Sequence, residues 1–334
     1  MLREGVGQAA PGLQVSAPGK MMVVGEYAVL HGAPALVAAV DLRVRMGMRA
    51  KEGEAPAEVT PRPLPPEAAA AWRFAEDAYG PCADQVALDV TALRSGEQKL
   101  GVGSSAAAAA AAVAWVYAAA GNTLDDVQVT EELLPLALAG HRAVAPEGSG
   151  ADVAASTLGG FVHVQREASG LLQARRLALP TAPVFRAVWT GKQVRTSEML
   201  AAVGRLRERD PACVQACMAK LSAVAQRYIA AFEAGEVATV ITETAAYHAA
   251  MAELGRLADV PIVEETLERI AQLASAAGGA AKPSGAGGGD VALAVFPDGE
   301  AAARFERCCA DEDLPVLGLR FGAAGVRIDS NGKG

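Results

Sequence analysis

The sequence predicts an α+β fold with mixed sheets, divided into two domains, and three observations carry that prediction. First, 334 residues that are 51% hydrophobic provide apolar content for full cores, at a length that suits two domains. Second, short apolar strands, an alanine-rich helix and a run of C-terminal helices follow one another between glycine turns with no internal repeat. Third, three glycine-punctuated segments, each beside a lysine, stand far apart in the chain.

The elements follow in order. Residues 1–12 are polar, broken by Gly and Pro, and are expected to form a disordered tail. Apolar stretches at 13–16 and 21–24 read as short strands flanking a turn at 17–20. Residues 35–48 alternate loosely and end in basic residues, as an exposed strand does. The Pro- and Glu-rich stretch 51–66 reads as a loop, 67–79 as a helix, and 86–92 as a strand before the Ser95-Gly96 turn. A helix over 105–120 takes Ser104 or Ser105 as its N-cap and stops at Gly121-Asn122. Another covers 127–145 after Asp125-Asp126, and 160–166 is a strand. Pro180-Thr181-Ala182-Pro183 marks the domain boundary, giving an N-terminal domain over 13–180 and a C-terminal one over 184–330. Beyond it come a strand at 185–190, helices at 197–207, 211–234, 237–258 and 262–277, a strand at 291–296, a helix at 300–309 and the last strands within 314–327.

Composition excludes some functions. A net charge of −8 and a pI near 5.2 leave no basic excess to displace the counterions of a nucleic acid. The start of the chain lacks the apolar core of a secretory signal. The longest apolar run, 106–120, is mostly alanine and falls short of the roughly 20 residues that span a bilayer. A cytoplasmic protein without a membrane partner is expected. Cys82, Cys213, Cys217, Cys308 and Cys309 form no CxxC pair and read as thiols in a reducing compartment. His31, His141, His163 and His248 lack metal-ligand spacing; His163 reads as a strand residue and His248 as a helix-surface residue.

The glycine segments carry the chemistry. They are Ala17-Pro18-Gly19-Lys20 running on to Gly25-Glu26-Tyr27-Ala28-Val29, then Lys99-Leu100-Gly101-Val102-Gly103-Ser104-Ser105-Ala106-Ala107, and Lys282-Pro283-Ser284-Gly285-Ala286-Gly287-Gly288-Gly289-Asp290. Each sets bare backbone N–H groups and small hydroxyls beside a lysine, as a polyphosphate requires. The second also opens the alanine-rich helix, whose dipole turns its positive end to the same place. Together they suggest one phosphate-handling cleft. The run Gly101 to Ala106 also reads as a dinucleotide fingerprint. That form, however, follows the first strand of a βαβ unit and precedes an acidic strand end by about 20 residues. It is not a Walker loop, since no lysine follows the second glycine. One of its serine hydroxyls can reach Mg²⁺; alone, the loop is equally an ordinary helix cap. Asp152, in Ser149-Gly150-Ala151-Asp152-Val153-Ala154, suits a catalytic base or a group that orients a hydroxyl, and equally a turn residue. Lys20 and Lys282 each also read as solvated surface lysines.

In this order the three segments resemble the signature motifs of the GHMP kinases, which act on galactose, homoserine, mevalonate and phosphomevalonate. The resemblance runs over about residues 16–328. Within that superfamily four details are similar to the phosphomevalonate kinases: Tyr27 in the first motif, Gly148 to Ala154, Trp189-Thr190-Gly191 followed by Thr196, and Lys282 to Asp290. His141 stands where mevalonate kinases place a metal-binding Glu. Lys192, Val194 and Arg195 stand where phosphomevalonate kinases more often have small residues, and His31-Gly32-Ala33-Pro34 is reminiscent of mevalonate kinase.

The resemblance implies an N-terminal domain like ribosomal protein S5 domain 2, a ferredoxin-like C-terminal domain and an active site between them. It implies transfer of the ATP γ-phosphoryl group to (R)-5-phosphomevalonate, giving 5-diphosphomevalonate for isoprenoid synthesis, with ATP and Mg²⁺ as cofactors. Lys99, Gly101, Val102, Gly103, Ser104, Ser105 and Ala106 would hold the ATP phosphates, with Ser105 on the metal. Lys20 would stabilise the transferring group and Asp152 would orient Lys20 or the substrate. Tyr27, Ser149, Lys192, Arg195, Thr196, Lys282, Ser284, Gly285, Ala286 and Gly287 would bind the small phosphorylated substrate, in a monomer or homodimer. A mevalonate kinase, with Asp152 as a true base, a dinucleotide-dependent oxidoreductase and a non-catalytic sensor are the alternatives.

Overall fold

The computed structural model describes residues 12–48, 64–82, 86–96, 98–167, 169–178 and 183–329. In chain order its elements are β1 (Gln14–Val24), a 3-10 turn (Ala28–His31), β2 (Ala35–Met48), α1 (Pro66–Tyr79), β3 (Val86–Asp89), β4 (Arg94–Ser95), β5 (Gln98–Lys99) and α2 (Ser104–Ala119). Then come α3 (Asp126–Gln128), a π-helical turn (Val129–Leu133), α4 (Leu134–Val144), α5 (Ala151–Leu158), β6 (Phe161–Arg166), β7 (Leu172–Arg176) and β8 (Val184–Trp189). The chain continues through α6 (Thr196–Arg209), α7 (Pro211–Ala234), α8 (Val237–Ala258), α9 (Glu265–Ala276), β9 (Ala280–Ser284), β10 (Val291–Phe296), α10 (Gly299–Asp311), β11 (Val316–Leu317) and β12 (Arg327–Asp329). The class is α+β, as the sequence predicts. The chain parts into two compact units, one of residues up to 20, 38–162 and from 322, the other of 21–37 and 163–321. The expected tail to residue 11, most of the expected loop at 51–66 and the expected boundary at 180–182 lie outside the described residues.

β12 pairs antiparallel with the start of β1 and β3 with the end of β2, in a sheet ordered β12-β1-β2-β6-β7. The Pro-Gly pair at 18–19 reads as a turn in the sequence, yet β1 is one continuous strand of 11 residues. Residues 15–19 are all buried, so the strand is interior and needs a residue without a side chain where loops approach it. A Cβ on Gly19 would stand 2.7 Å from the Val102 carbonyl oxygen. β2, expected to be exposed, is buried over 35–40 because it lies between β1 and β6. Arg43 on β2 ties the first unit together. Its buried guanidinium donates to Ser16 Oγ (2.8 Å), Ser16 O (2.9 Å), Ala324 O (2.7 Å) and Gly325 O (2.6 Å). Burial, chiefly, pulls its pKa down to about 10, which leaves it charged at neutral pH.

α2 is apolar all round and buried from Ala106 through Tyr117, because α1, α4 and α5 pack on it. Its N-cap is Gly103 rather than either serine, and Gly121 follows its C-cap with φ +86°. The helix expected over 127–145 is interrupted by the π turn, and Asp125 caps its start by accepting from the Val127 and Gln128 amides. α5, which glycines on both sides disguise as a loop, starts at Gly150 with φ +80°.

In the second unit, β11-β8-β10-β9 form an antiparallel sheet. Alternation divides its faces. Val188, Ala281, Ala292, Ala294 and Phe296 join Ile270 and Leu273 of α9 and Phe305 of α10 in one core cluster. Lys282, next to Ala281 on β9, therefore points to the opposite face. α7 and α8 take the bounds the sequence predicts: Asp210 caps α7 through the Cys213 amide, and Gly235 ends it in the left-handed region. α9 begins three residues later than expected, where Glu264 caps it by accepting from Leu267 N. His248 is a correction: it is buried on α8, with Nε2 2.9 Å from Glu268 Oε2.

Candidate active site

The first unit builds a cradle at the start of α2. The Lys20 amide donates to Val102 O at 2.8 Å, which holds the 101–103 turn against β1. Gly103 sits at φ +82°, and a Cβ there would lie 2.7 Å from Lys20 Cγ and 2.8 Å from Lys20 Cε. The aliphatic stem of Lys20 thus runs across Gly103 towards the mouth of α2. The N-cap residue offers no side chain to this helix, so its first amides and the positive end of its dipole are left uncapped by it, beside half-buried Ser104 and Ser105. Lys99 is exposed at the end of the β4–β5 hairpin that leads into the loop. That hairpin is antiparallel, so the loop does not follow the parallel strand a dinucleotide fingerprint needs.

Asp152 lies in the first turn of α5, which Ser149 supports by accepting from the Ala151 amide at 3.2 Å. Asp152 Oδ1 accepts from Val153 N at 2.9 Å, and Oδ2 stands 4.0 Å from Nε2 of His141. The imidazole is nearly buried, while the carboxylate keeps 29% of its side-chain surface exposed.

The third glycine segment belongs to the second unit. It packs on the stretch after Trp189: the Asp290 amide donates to Lys192 O (2.8 Å), the Thr190 amide to Asp290 O (2.9 Å), and the Gly288 amide to Ile262 O (2.8 Å). Thr196 opens α6, and Arg195, exposed, is its N-cap residue. Lys192 is exposed and pairs with Glu264 at 2.9 Å.

Lys282 is not where a substrate-binding cation should be. Its ammonium is fully buried, donates to Pro283 O at 2.8 Å and pairs with the equally buried carboxylate of Glu26. Burial pushes its pKa below the usual lysine range, against the upward pull of Glu26. It also lies 5.5 Å from the centre of the Tyr247 ring. Removing one member of such a pair strands the other and costs about 3–5 kcal/mol.

Glu26 and Tyr247 are the residues that sequence reasoning did not assign. Glu26 Oε1 also accepts from Gly285 N at 3.4 Å, and Tyr247 OH donates to Glu26 O at 2.8 Å. That carbonyl accepts from Ala28 N as well, at 2.6 Å, closing a γ-turn about Tyr27 at φ 61°, ψ −56°. This is the rare, strained form of the turn, costing on the order of 1–3 kcal/mol. Tyr27 OH donates to Ala286 O, and Ser284 Oγ donates to Met22 O at 2.9 Å. Burial first, then Glu26, pushes the Tyr27 phenol well above the usual tyrosine range, so it stays a donor.

Among the described residues no three His, Cys, Asp or Glu side chains gather to hold a metal, and no helix is long and apolar enough to cross a membrane. The donors at the α2 mouth are amides and serine hydroxyls. That set fits a nucleotide phosphate, and a Mg²⁺ bound with it would take its ligands largely from phosphate oxygens and water.

Residues 68–160 match the family described as GHMP kinases N terminal domain, and residues 236–313 match GHMP kinases C terminal. The chain is 28% identical to a phosphomevalonate kinase of Streptomyces sp. (strain CL190), over 93% of this chain and 94% of that protein. It is 25% identical to a mevalonate kinase of Thermococcus gammatolerans, over 85% of this chain and 89% of that one. Its fold resembles that of Streptococcus pneumoniae phosphomevalonate kinase, solved in complex with phosphomevalonate and AMPPNP. There the TM-score is 0.76 at 19% identity, covering 92% of this chain and 99% of that chain. With the N-terminal and C-terminal domains of one family matched in order along it, this chain belongs to the GHMP kinases.

Proposed function

We propose that the chain transfers the γ-phosphoryl group of ATP to (R)-5-phosphomevalonate, giving 5-diphosphomevalonate in the mevalonate pathway. The observation that supports phosphoryl transfer is the Lys20 stem lying across Gly103 at the uncapped start of α2. The choice of acceptor rests on the likeness to the Streptomyces phosphomevalonate kinase along nearly the whole chain.

Such a transfer depends on positioning and charge neutralisation more than on covalent chemistry. ATP with Mg²⁺ supplies the phosphoryl group and neutralises part of its charge. The α2 amides and the hydroxyls of Ser104 and Ser105 receive phosphate oxygens, and Lys20 meets the charge on the transferring group. The acceptor is an ionised phosphate near neutral pH, so Asp152 has no proton to take and serves to orient Lys20 or the substrate.

A second reading, mevalonate kinase, is supported by the likeness to the Thermococcus mevalonate kinase; Asp152, with His141 Nε2 at 4.0 Å, would then serve as the general base that a hydroxyl acceptor requires. An ADP-release assay over phosphomevalonate, mevalonate, homoserine and galactose separates the two. Phosphomevalonate is expected to be the preferred acceptor, with turnover lost in excess chelator. A preference for mevalonate assigns the second reading, and full turnover without divalent metal rejects the role given to Mg²⁺.

A further inference from the structure

A fully buried lysine in a strand is unusual enough to need a purpose. A buried ion pair is often no more stabilising than two well-packed apolar residues, so stability does not explain why an ammonium and a carboxylate occupy this face. Their contacts do. Glu26 Oε1 accepts from the Lys282 ammonium and from the amide of Gly285, the first glycine of the loop. One residue further on, the carbonyl of Ala286 accepts from Tyr27 OH. Tyr27 is aimed by the γ-turn, whose carbonyl is held by Tyr247 OH. Ser284 Oγ, on Met22 O, fixes the residue before the loop. Gly288 N is spent on Ile262 O, while the amides of Ala286 and Gly287 have no hydrogen-bond partner among the described residues. The loop is thus tied on both sides of two unpaired donors, on half-buried Ala286 and buried Gly287.

We infer that Glu26 and Lys282 are positioning residues: with Tyr27 they preset the 285–288 loop so that the Ala286 and Gly287 amides point at an anionic group of the acceptor. Lys282 acts through Glu26 and does not touch the substrate. The inference rests on the kinase reading of the chain, but not on which acceptor is used. Preorganised amides of this kind bind an oxyanion without reordering, and a small displacement of them is costly.

The test compares the purified full chain with the double variant Glu26→Leu/Lys282→Met and with Tyr27→Phe. Michaelis constants for ATP and for the acceptor are measured alongside thermal melting. The acceptor is whichever of phosphomevalonate and mevalonate the wild type phosphorylates, so a wrong substrate assignment shows in the wild type and leaves this test intact. The double variant removes both buried charges and is expected to melt within about 5 °C of wild type. Its KM for the acceptor should rise about tenfold while its KM for ATP stays within about twofold. A folded double variant with the wild-type acceptor KM overturns the inference, because the pair is then structural only. Should the double variant fail to fold, Tyr27→Phe decides, since it leaves the charge pair intact and frees only the Ala286 carbonyl. A rise of about fivefold in acceptor KM at unchanged melting supports the inference; an unchanged KM overturns it.

Discussion

The side chain of Lys20 crosses Gly103 so closely that a methyl group built there would stand 2.7 Å from Cγ and 2.8 Å from Cε. The glycine does two jobs, turning the chain at φ +82° into α2 and leaving room for the lysine stem. Gly103→Ala should therefore cost about 1–2 kcal/mol of stability from the left-handed backbone alone. It should also swing the ammonium away and lower turnover by at least about tenfold. Melting and steady-state kinetics check both. A variant that loses stability but keeps wild-type turnover would show that the lysine's path over the glycine is incidental.

Lys20→Ala and Asp152→Ala should each reduce turnover by at least about a hundredfold, since one preorganised electrostatic group contributes on the order of 3 kcal/mol at the transition state. Both side chains are partly exposed, so neither truncation opens a cavity in the core. Unchanged melting with near-normal turnover in either variant removes that residue from the catalytic set.

Arg43 offers a contrast, because its four hydrogen bonds are structural. Arg43→Met should lose about 3 kcal/mol by leaving the Ser16, Ala324 and Gly325 carbonyls unpaired. For a chain of this size that lowers the melting temperature by roughly 5–10 °C. The KM for ATP should stay at its wild-type value in the cold; a changed KM with unchanged melting would mean that Arg43 serves the site instead.

How far the sequence reaches depends on the range of the forces involved. α7, α8 and β10 have the bounds read from the sequence, because caps, glycine stops and period are local signals. β1 and α5 were hidden by Gly and Pro whose meaning is set by close approach of other segments, as the Val102 carbonyl over Gly19 shows. Residues 99–106 lie together along one stretch of chain and are legible as a glycine loop that opens a helix, whereas the approach of Lys20 to Gly103 joins two distant stretches and only the fold shows it. Lys282 reads in the sequence as a substrate cation or a surface lysine because its partner, Glu26, is 256 positions away, and only the fold reveals that the strand carrying it is buried. His248 reads as a surface residue for the same reason: its partner Glu268 stands on the next helix.

The choice of acceptor turns on charge near the third glycine loop. Phosphomevalonate carries roughly two more negative charges than mevalonate, so its pocket must supply cations beyond those on the nucleotide. Lys282 is spent on Glu26, and Lys192 already faces Glu264 at 2.9 Å. Of Lys192, Arg195 and Lys282, that leaves Arg195, exposed at the start of α6 and with no ion pair among the described residues, as the cation free to take a phosphate in two parallel hydrogen bonds. Arg195→Ala should weaken phosphomevalonate binding by about 1–3 kcal/mol, seen as a rise in its KM with the KM for ATP unchanged. Lys192→Ala should have the smaller effect, since its exposed pair with Glu264 competes with the substrate. The measurement is acceptor KM at two ionic strengths, because a screened charge contact weakens as salt rises. If Arg195→Ala binds phosphomevalonate as the wild type does at low salt, the acceptor phosphate is held by other groups and this assignment of the pocket is wrong.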